Sequence, residues 1–117
     1  MRLTKDEAIA NHRKMWNWIA DETMKRKCKV EKWDYFKAHG ITDIPLCECY
    51  CCEYARDGLF ADCSRCPIDW GGEFNICLNR DSDGDGKGLF TLWFKEPDYV
   101  KSAKLAKKIA ELPERKE

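Results

Sequence analysis

Ala8, His12, Met15 and Ile19 recur at helical spacing, with Ile9, Trp16 and Ala20 beside them. The stripe predicts an amphipathic helix from about Lys5 to about Lys27. Thr4-Lys-Asp-Glu7 fits a capping box at its start, and Met24-Lys-Arg-Lys27 gives a basic end that suits the helix dipole. Val30 to His39 predicts a second helix on which Trp33, Phe36 and Lys37 share a face, with Gly40 placed to end it. Ile41 and Ile44 then offer apolar side chains from a short loop. Leu89-Phe-Thr-Leu-Trp-Phe94 is aromatic and β-prone, which predicts a short strand. Pro97 suits the first turn of a last helix, Asp98 to about Leu112, with Tyr99, Ala103, Ala106, Ile109 and Ala110 as its apolar stripe. Pro113 stops that helix, and the charged residues after it are expected to fray.

Between these segments the pattern changes. Residues 46–79 hold seven of the eight cysteines, and Asp81 to Gly88 is an acidic, glycine-rich loop. A 117-residue chain suits one domain whose core is small enough to benefit from a staple. Hydrophobic residues make up 44%, enough for a globular rather than a disordered chain. No apolar run follows the first residues, and none is long enough to span a membrane. A cytoplasmic location is therefore expected. There, cysteines are metal ligands or thiols before they are disulfides. Net charge is zero, but residues 1–46 carry +3, residues 47–98 carry −6 and residues 99–117 carry +3. The acidic cysteine region argues against a module that grips phosphates, which needs clustered Lys and Arg.

Cys49-x2-Cys52-x10-Cys63-x2-Cys66 is the strongest chemical signal. Two residues between cysteines let a tight turn aim both sulfurs at one ion, and two such knuckles complete a tetrahedral zinc site. Four thiolates leave no position for water, so the expected Zn2+ is structural rather than catalytic. Cys77 lies ten residues beyond Cys66, so Cys52, Cys63, Cys66 and Cys77 form an alternative set. Adjacent side chains point apart, so Cys51 is expected to stay out of the set, packed or exposed. Cys28 is expected to be a small buried residue. Cys66-Pro67 echoes the ending of some iron–sulfur motifs, but the remaining spacing fits them poorly.

The fold class expected is α+β and mainly helical: two or three helices packed on an irregular zinc-knuckle region with a short strand or hairpin. One zinc-stabilised domain, 1–117, would comprise helices over 4–40, the metal region 46–79, an acidic loop and strand over 80–95, and a helix over 97–112.

Other signals are weaker. Asp81, Asp83, Asp85 and Gly86 open like a calcium-binding loop, but Gly88 and Leu92 occupy positions that need an aliphatic residue and a bidentate glutamate. His12 reads as a packed, hydrogen-bonded histidine and His39 as a partner for a helix C-terminus. Neither has a catalytic partner, and no nucleophile stands beside a base, so no enzyme is expected. Trp16 and Trp18 are two apart and point to different helix faces, which offers at least one of them to a binding partner. Lys25, Arg26, Lys27 and Lys29, with Lys101, Lys104, Lys107 and Lys108, could form one basic patch for nucleic acid; two ordinary solvated helix faces are the simpler reading.

Cys49-Tyr-Cys-Cys-Glu-Tyr-Ala55, Cys63-Ser-Arg-Cys-Pro-Ile-Asp-Trp-Gly71 and Cys77 resemble small cysteine-rich proteins of phages and prophages of Gram-positive bacteria. His12-Arg-Lys-Met-Trp-Asn-Trp18 and Ala103-Lys-Leu-Ala-Lys-Lys-Ile-Ala-Glu-Leu-Pro113 are similar to the same group, so the resemblance covers most of the chain. Asp81–Gly88 looks like an insertion where those proteins have a short turn. The resemblance implies a phage origin and a cysteine-bound metal, and no activity. The expectation is a zinc-binding accessory protein that binds a host or phage protein, with inhibition of a host process as one use. The alternative is a nucleic-acid-binding zinc module.

Overall fold

A computed structural model describes residues 3–58, 60–62, 65–70 and 88–115. Five helices order the described residues: α1 (Lys5–Arg26), α2 (Lys32–Ala38), α3 (Tyr50–Tyr54), α4 (Leu89–Lys95) and α5 (Tyr99–Ala110). A short turn at Leu46–Glu48 leads into α3. None of the described helices is long and apolar enough to cross a membrane.

The start of α1 forms as its sequence dictates. The Glu7 amide donates to Thr4 Oγ1 at 3.1 Å, and the Thr4 amide donates to Glu7 Oε1 at 2.9 Å. These two bonds satisfy donors that a helix start otherwise leaves without partners. Lys27, at φ 56°, ends the helix. α2 ends on Gly40, whose φ of +63° lets the Ile41 amide reach Phe36 O (2.9 Å) and its own amide reach Lys37 O (3.3 Å). That pairing is a Schellman cap, and a side chain at Gly40 would strain it.

α1 and α5 form the central pair. They run antiparallel, because Lys107 Nζ bonds Asn17 Oδ1 (2.7 Å) while Arg13 reaches Leu112 O (3.2 Å) and Lys5 pairs with Glu114 (2.8 Å). The face of α5 is built of small residues: Ser102, Ala103, Ala106 and Ala110 are buried round Ile109. Small side chains let the two backbones approach, and the long side chains of α1 fill the space to either side. Met15, Trp16 and Ile19 are buried there, with Tyr35 and Phe36 of α2, Tyr50 of α3 and Trp93 of α4 completing the core.

The expected α+β class is not found: the fold is helical. The segment read as a strand, 89–94, is α4. Helical spacing puts Trp93 in the core against Trp16 (ring centroids 4.7 Å apart, edge on) and stacks Phe90 with Phe94 one turn on. Tertiary contact with Trp16 outweighs the β preference of an aromatic run. Its C-terminus is capped from a distance. Lys29 Nζ donates to Trp93 O (2.7 Å), Phe94 O (2.8 Å) and Glu96 O (3.2 Å) and lies over the Trp93 ring. A cation there complements the negative end of the helix dipole. Extended pairing among the described residues is confined to two short pieces. Arg56–Asp57 meets Phe60–Ala61 in a two-residue antiparallel ladder, and Ile68 bridges Glu114.

That bridge corrects a second expectation. Residues 113–115 do not fray but return to the cysteine region, with Asp69 N bonded to Pro113 O (2.9 Å) and Arg115 N to Pro67 O (2.8 Å). Trp33 also departs from its expected face. It is 57% exposed, while Tyr35 and Phe36 turn inward.

Trp93→Ala is expected to cost about 3–5 kcal/mol, the scale for losing a buried aromatic. Phe94→Ala, at a side chain 63% exposed, should stay within about 0.5 kcal/mol. Urea unfolding of the two variants measures both; similar losses would be inconsistent with a helical α4.

Candidate metal centre

Cys49, Cys51, Cys52 and Cys66 are joined by side-chain contacts, with His12 of α1 within electrostatic reach of Cys49. The approach to them starts at Cys47 and Glu48, which take left-handed backbone conformations (φ 58° and 53°). Such conformations are costly for residues other than glycine, and here two anchors hold them. Lys32 Nζ bonds Cys47 O (2.9 Å), and the Leu46 amide donates to Glu53 Oε1 (2.9 Å). Glu53 is itself buried and paired with Arg56 at 3.2 Å. The turn delivers Cys49 to the start of α3, so that one helical turn carries Cys49, Cys51 and Cys52.

The Cys51 thiol is hydrogen-bonded to the sulfurs of both Cys49 and Cys66. Cys49 also receives hydrogen bonds from the Cys52 side chain and the Cys52 amide. Cys66 receives them from the Ile68 amide and from the side chain of Trp70, whose donor is the indole N–H. Every one of these contacts favours a thiolate at Cys49 and Cys66. Cys49 is accordingly held well below the ordinary thiol range, first by Cys51 and then by Cys52. Cys66 is lowered to about 7, chiefly by Cys51. Cys51 is the donor of the group, and its hydrogen bonds to Cys49 and Cys66 push its own pKa up.

Of the expected set, Cys49 is thus linked to Cys52 directly and to Cys66 through Cys51. Cys63, the alternative ligand Cys77 and the calcium-like stretch 81–87 lie outside the described residues. Among the described residues no three His, Cys, Asp or Glu side chains are grouped so as to hold a metal ion by themselves. None of the six described cysteines is in a disulfide. Cys51 is packed, one of the two placements expected of it: it is buried in the helical turn it shares with Cys52. One cysteine reading is corrected. Cys28 is exposed, because it follows the left-handed end of α1 and leaves the core stripe.

His12 was missed as a member of this site, although its position on the apolar face was legible. It is fully buried, and its Nε2 lies 3.2 Å from Ile109 O. Its ring meets Trp70 edge to face at 5.8 Å, and it lies within electrostatic reach of Cys49. Burial pushes its pKa down, so it is neutral at pH 7.

The other sequence candidates separate. Trp16 is 2% exposed and lies in the core, so it offers nothing to a partner. Trp18 is half-buried between Tyr35, His39 and the Arg26 guanidinium. His39 fills its expected place, with Nδ1 2.9 Å from Tyr35 O. Of the basic residues, Lys29 is tied to the end of α4, Arg26 to Glu22 (2.9 Å) and Lys107 to Asn17. Lys25, Lys27, Lys101, Lys104 and Lys108 are exposed. Comparison with known proteins adds no assignment: no family model, no curated protein and no solved structure matches the chain.

In the reduced, metal-free protein, stability should rise between about pH 7 and pH 9. The folded Cys66 value of about 7 lies below the ordinary 9.0, so in that window the unfolded chain binds more protons. The contribution is present above 9 and disappears as pH falls through 7. Cys51 acts in the opposite sense, and only above 9. Thermal melts across this range should show the rise, and Cys66→Ala should reduce it to the part that Cys49, lowered in the same sense, contributes.

Cys51→Ala removes a buried donor that serves the half-buried Cys49 and Cys66 and is expected to cost about 1–3 kcal/mol. Cys28→Ala should stay within about 0.5 kcal/mol. Chemical denaturation of the two variants measures the difference.

Proposed function

We propose that this chain is a zinc-binding phage accessory protein that acts by binding a host or phage protein, with inhibition of a host process as its use. The observation that carries the metal half of this reading is the set of N–H and S–H donors directed at Cys49 and Cys66. Donors of this kind lower the cost of holding thiolates in a buried place, and they are the outer partners that orient metal-bound ligands. The sulfur-rich donor set suits a soft ion such as Zn2+. Cys49, Cys52 and Cys66 would hold it together with Cys63. A metal with four protein ligands supplies a crosslink between two parts of the chain, not a place for substrate.

The binding half rests on the resemblance to phage proteins and on side chains that the core does not use. Among the described residues, Trp33 (57%), Phe94 (63%), Leu92 (44%) and Met24 (48%) are the large exposed apolar ones. Phe90 and Phe94 stack along α4, with Lys32 over Phe90 and Lys29 near Phe94. Aromatic rings flanked by cations are the usual anchors of protein interfaces. The nucleic-acid alternative gains nothing from the structure, since three of its eight cations already have protein partners.

Cys66→Ser and Cys63→Ser should each lose bound zinc and several kcal/mol of stability, on the order of a structural metal's contribution. Metal analysis alongside thermal melting tests this; full metal content with parental melting would show the cysteines to be ordinary thiols. Phe94→Glu and Trp33→Glu should abolish capture of a specific partner from host lysate without changing the melt. A stably folded parent that captures nothing specific would count against the binding half.

A further inference from the structure

Cys51 and Cys66 are in contact but stand in different surroundings. Cys66 is half-buried, in a stretch with neither helix nor ladder pairing, so solvent reaches it. Its sulfur is held in place by the Ile68 amide and the Trp70 side chain. Cys51 is 1% exposed, packed in α3, and its thiol is hydrogen-bonded to the Cys66 sulfur. The two cysteines come from separately anchored stretches. The Ala55 amide bonds Cys51 O (3.0 Å), and the Arg115 amide bonds Pro67 O (2.8 Å). Cys49, the other sulfur that Cys51 meets, lies two residues away at the start of the same helix. A bond to it would have to twist the first turn of α3, whereas Cys66 can close on Cys51 by a small shift of an irregular stretch. An accessible cysteine beside a sheltered second thiol is the arrangement in which oxidation stops at a disulfide instead of climbing to sulfinic or sulfonic acid.

We infer that Cys51 and Cys66 are a redox pair, in which a peroxide oxidises Cys66 and Cys51 converts the product to a Cys51–Cys66 disulfide. In the first step the Cys66 sulfur attacks one peroxide oxygen. The O–O bond breaks, the other oxygen leaves as water with the thiol proton, and Cys66 becomes a sulfenic acid. In the second step the Cys51 sulfur attacks that of Cys66. The S–S bond forms, the S–O bond breaks, and the hydroxyl leaves as water with the Cys51 proton. Two thiols and one hydrogen peroxide thus give one disulfide and two waters. Exposure sets the order of events, because the oxidant reaches Cys66 and the resolving thiol waits behind it. The bond uses two sulfurs and needs no metal. It would join α3 to the stretch that residues 113–115 hold from the other side. One consequence does rest on the metal reading proposed above: the bond takes Cys66 out of the donor set, so peroxide should release the ion.

The test treats the full reduced chain with one equivalent of hydrogen peroxide, blocks the remaining thiols with N-ethylmaleimide and maps the tryptic peptides by mass. Trypsin cuts after Lys37, Arg56, Arg65 and Arg80. A Cys51–Cys66 bond therefore joins peptide 38–56 to peptide 66–80, while a Cys49–Cys52 bond stays inside 38–56. The joined pair should dominate, with fragmentation placing the bond on Cys51 and Cys66, and exposed Cys28 should stay reduced. Cys51→Ala should yield no joined pair and should leave a sulfenic acid on Cys66 that dimedone traps. Peroxide consumed with no joined pair, with a Cys49–Cys52 bond instead, or mainly at Cys28, would overturn the inference. The same treatment of zinc-loaded protein, followed with a colorimetric zinc chelator, separates the two readings. Zinc released as the disulfide forms, and taken up again after dithiothreitol, supports both. A protein that forms the disulfide but never binds zinc would overturn the metal reading and leave the redox pair standing. Zinc retained by the disulfide-bonded chain would overturn the release.

Discussion

The close antiparallel packing of α1 on α5 is the constraint on which the rest of the structure depends. It is possible because α5 presents Ser102, Ala103, Ala106 and Ala110 to a helix that carries the bulk, Met15, Trp16 and Ile19. Once these two lie together, His12 meets Ile109 and Lys5 meets Glu114. The residues after α5 then reach Pro67 to Asp69. The same packing opens a space beside Trp16 that Trp93 fills, which makes a helix of a segment with no strong helical preference of its own. A bulky residue at Ala106 would separate the pair, and the cysteine cluster would lose its upper wall with it.

What could be read from the sequence followed from local physics. The capping box at Thr4, the glycine end of α2 and the apolar stripe of α5 each involve residues within one or two turns, and each is present. What could not be read depended on distant partners. Leu89 to Phe94 is apolar at nearly every position, so neither helical nor strand periodicity stands out, and the choice is made by Trp16. The return of residues 113–115 needs a receiving edge at Pro67–Asp69, which no property of the tail announces. Cys51 was legible only as packed or exposed, because spacing does not choose between the two; the helical turn it shares with Cys52 buries it. The sulfur cluster itself was half legible: Cys49, Cys52 and Cys66 were readable from spacing. His12 carried only the signal of a polar residue on an apolar stripe.

Charge is arranged so that buried groups find donors at short range and exposed ones work at helix ends. Lys29 closes α4 with three carbonyl contacts, Asp98 caps α5 by accepting from the Lys101 amide (2.9 Å), and Glu53 serves both the Leu46 amide and Arg56. Cys51 serves Cys49 and Cys66 in the same fashion. A thiol within reach of two sulfurs favours the thiolate form of each.

The return of residues 113–115 onto residues 67–69 also bears on the order in which the molecule assembles. Helices α1 and α5 can each form locally, but their meeting closes nearly the whole chain into one loop. The cysteine region is clamped only after that closure, because one side of the clamp lies beyond α5. Contacts of such long sequence separation form slowly, and the entropy of closing the loop is lost before they contribute. The thiols therefore remain accessible to solvent, to oxidants and to stray metal ions for most of the folding time. Until residues 113–115 have docked, Cys49, Cys51, Cys52 and Cys66 have been made without the clamp that will close beside them.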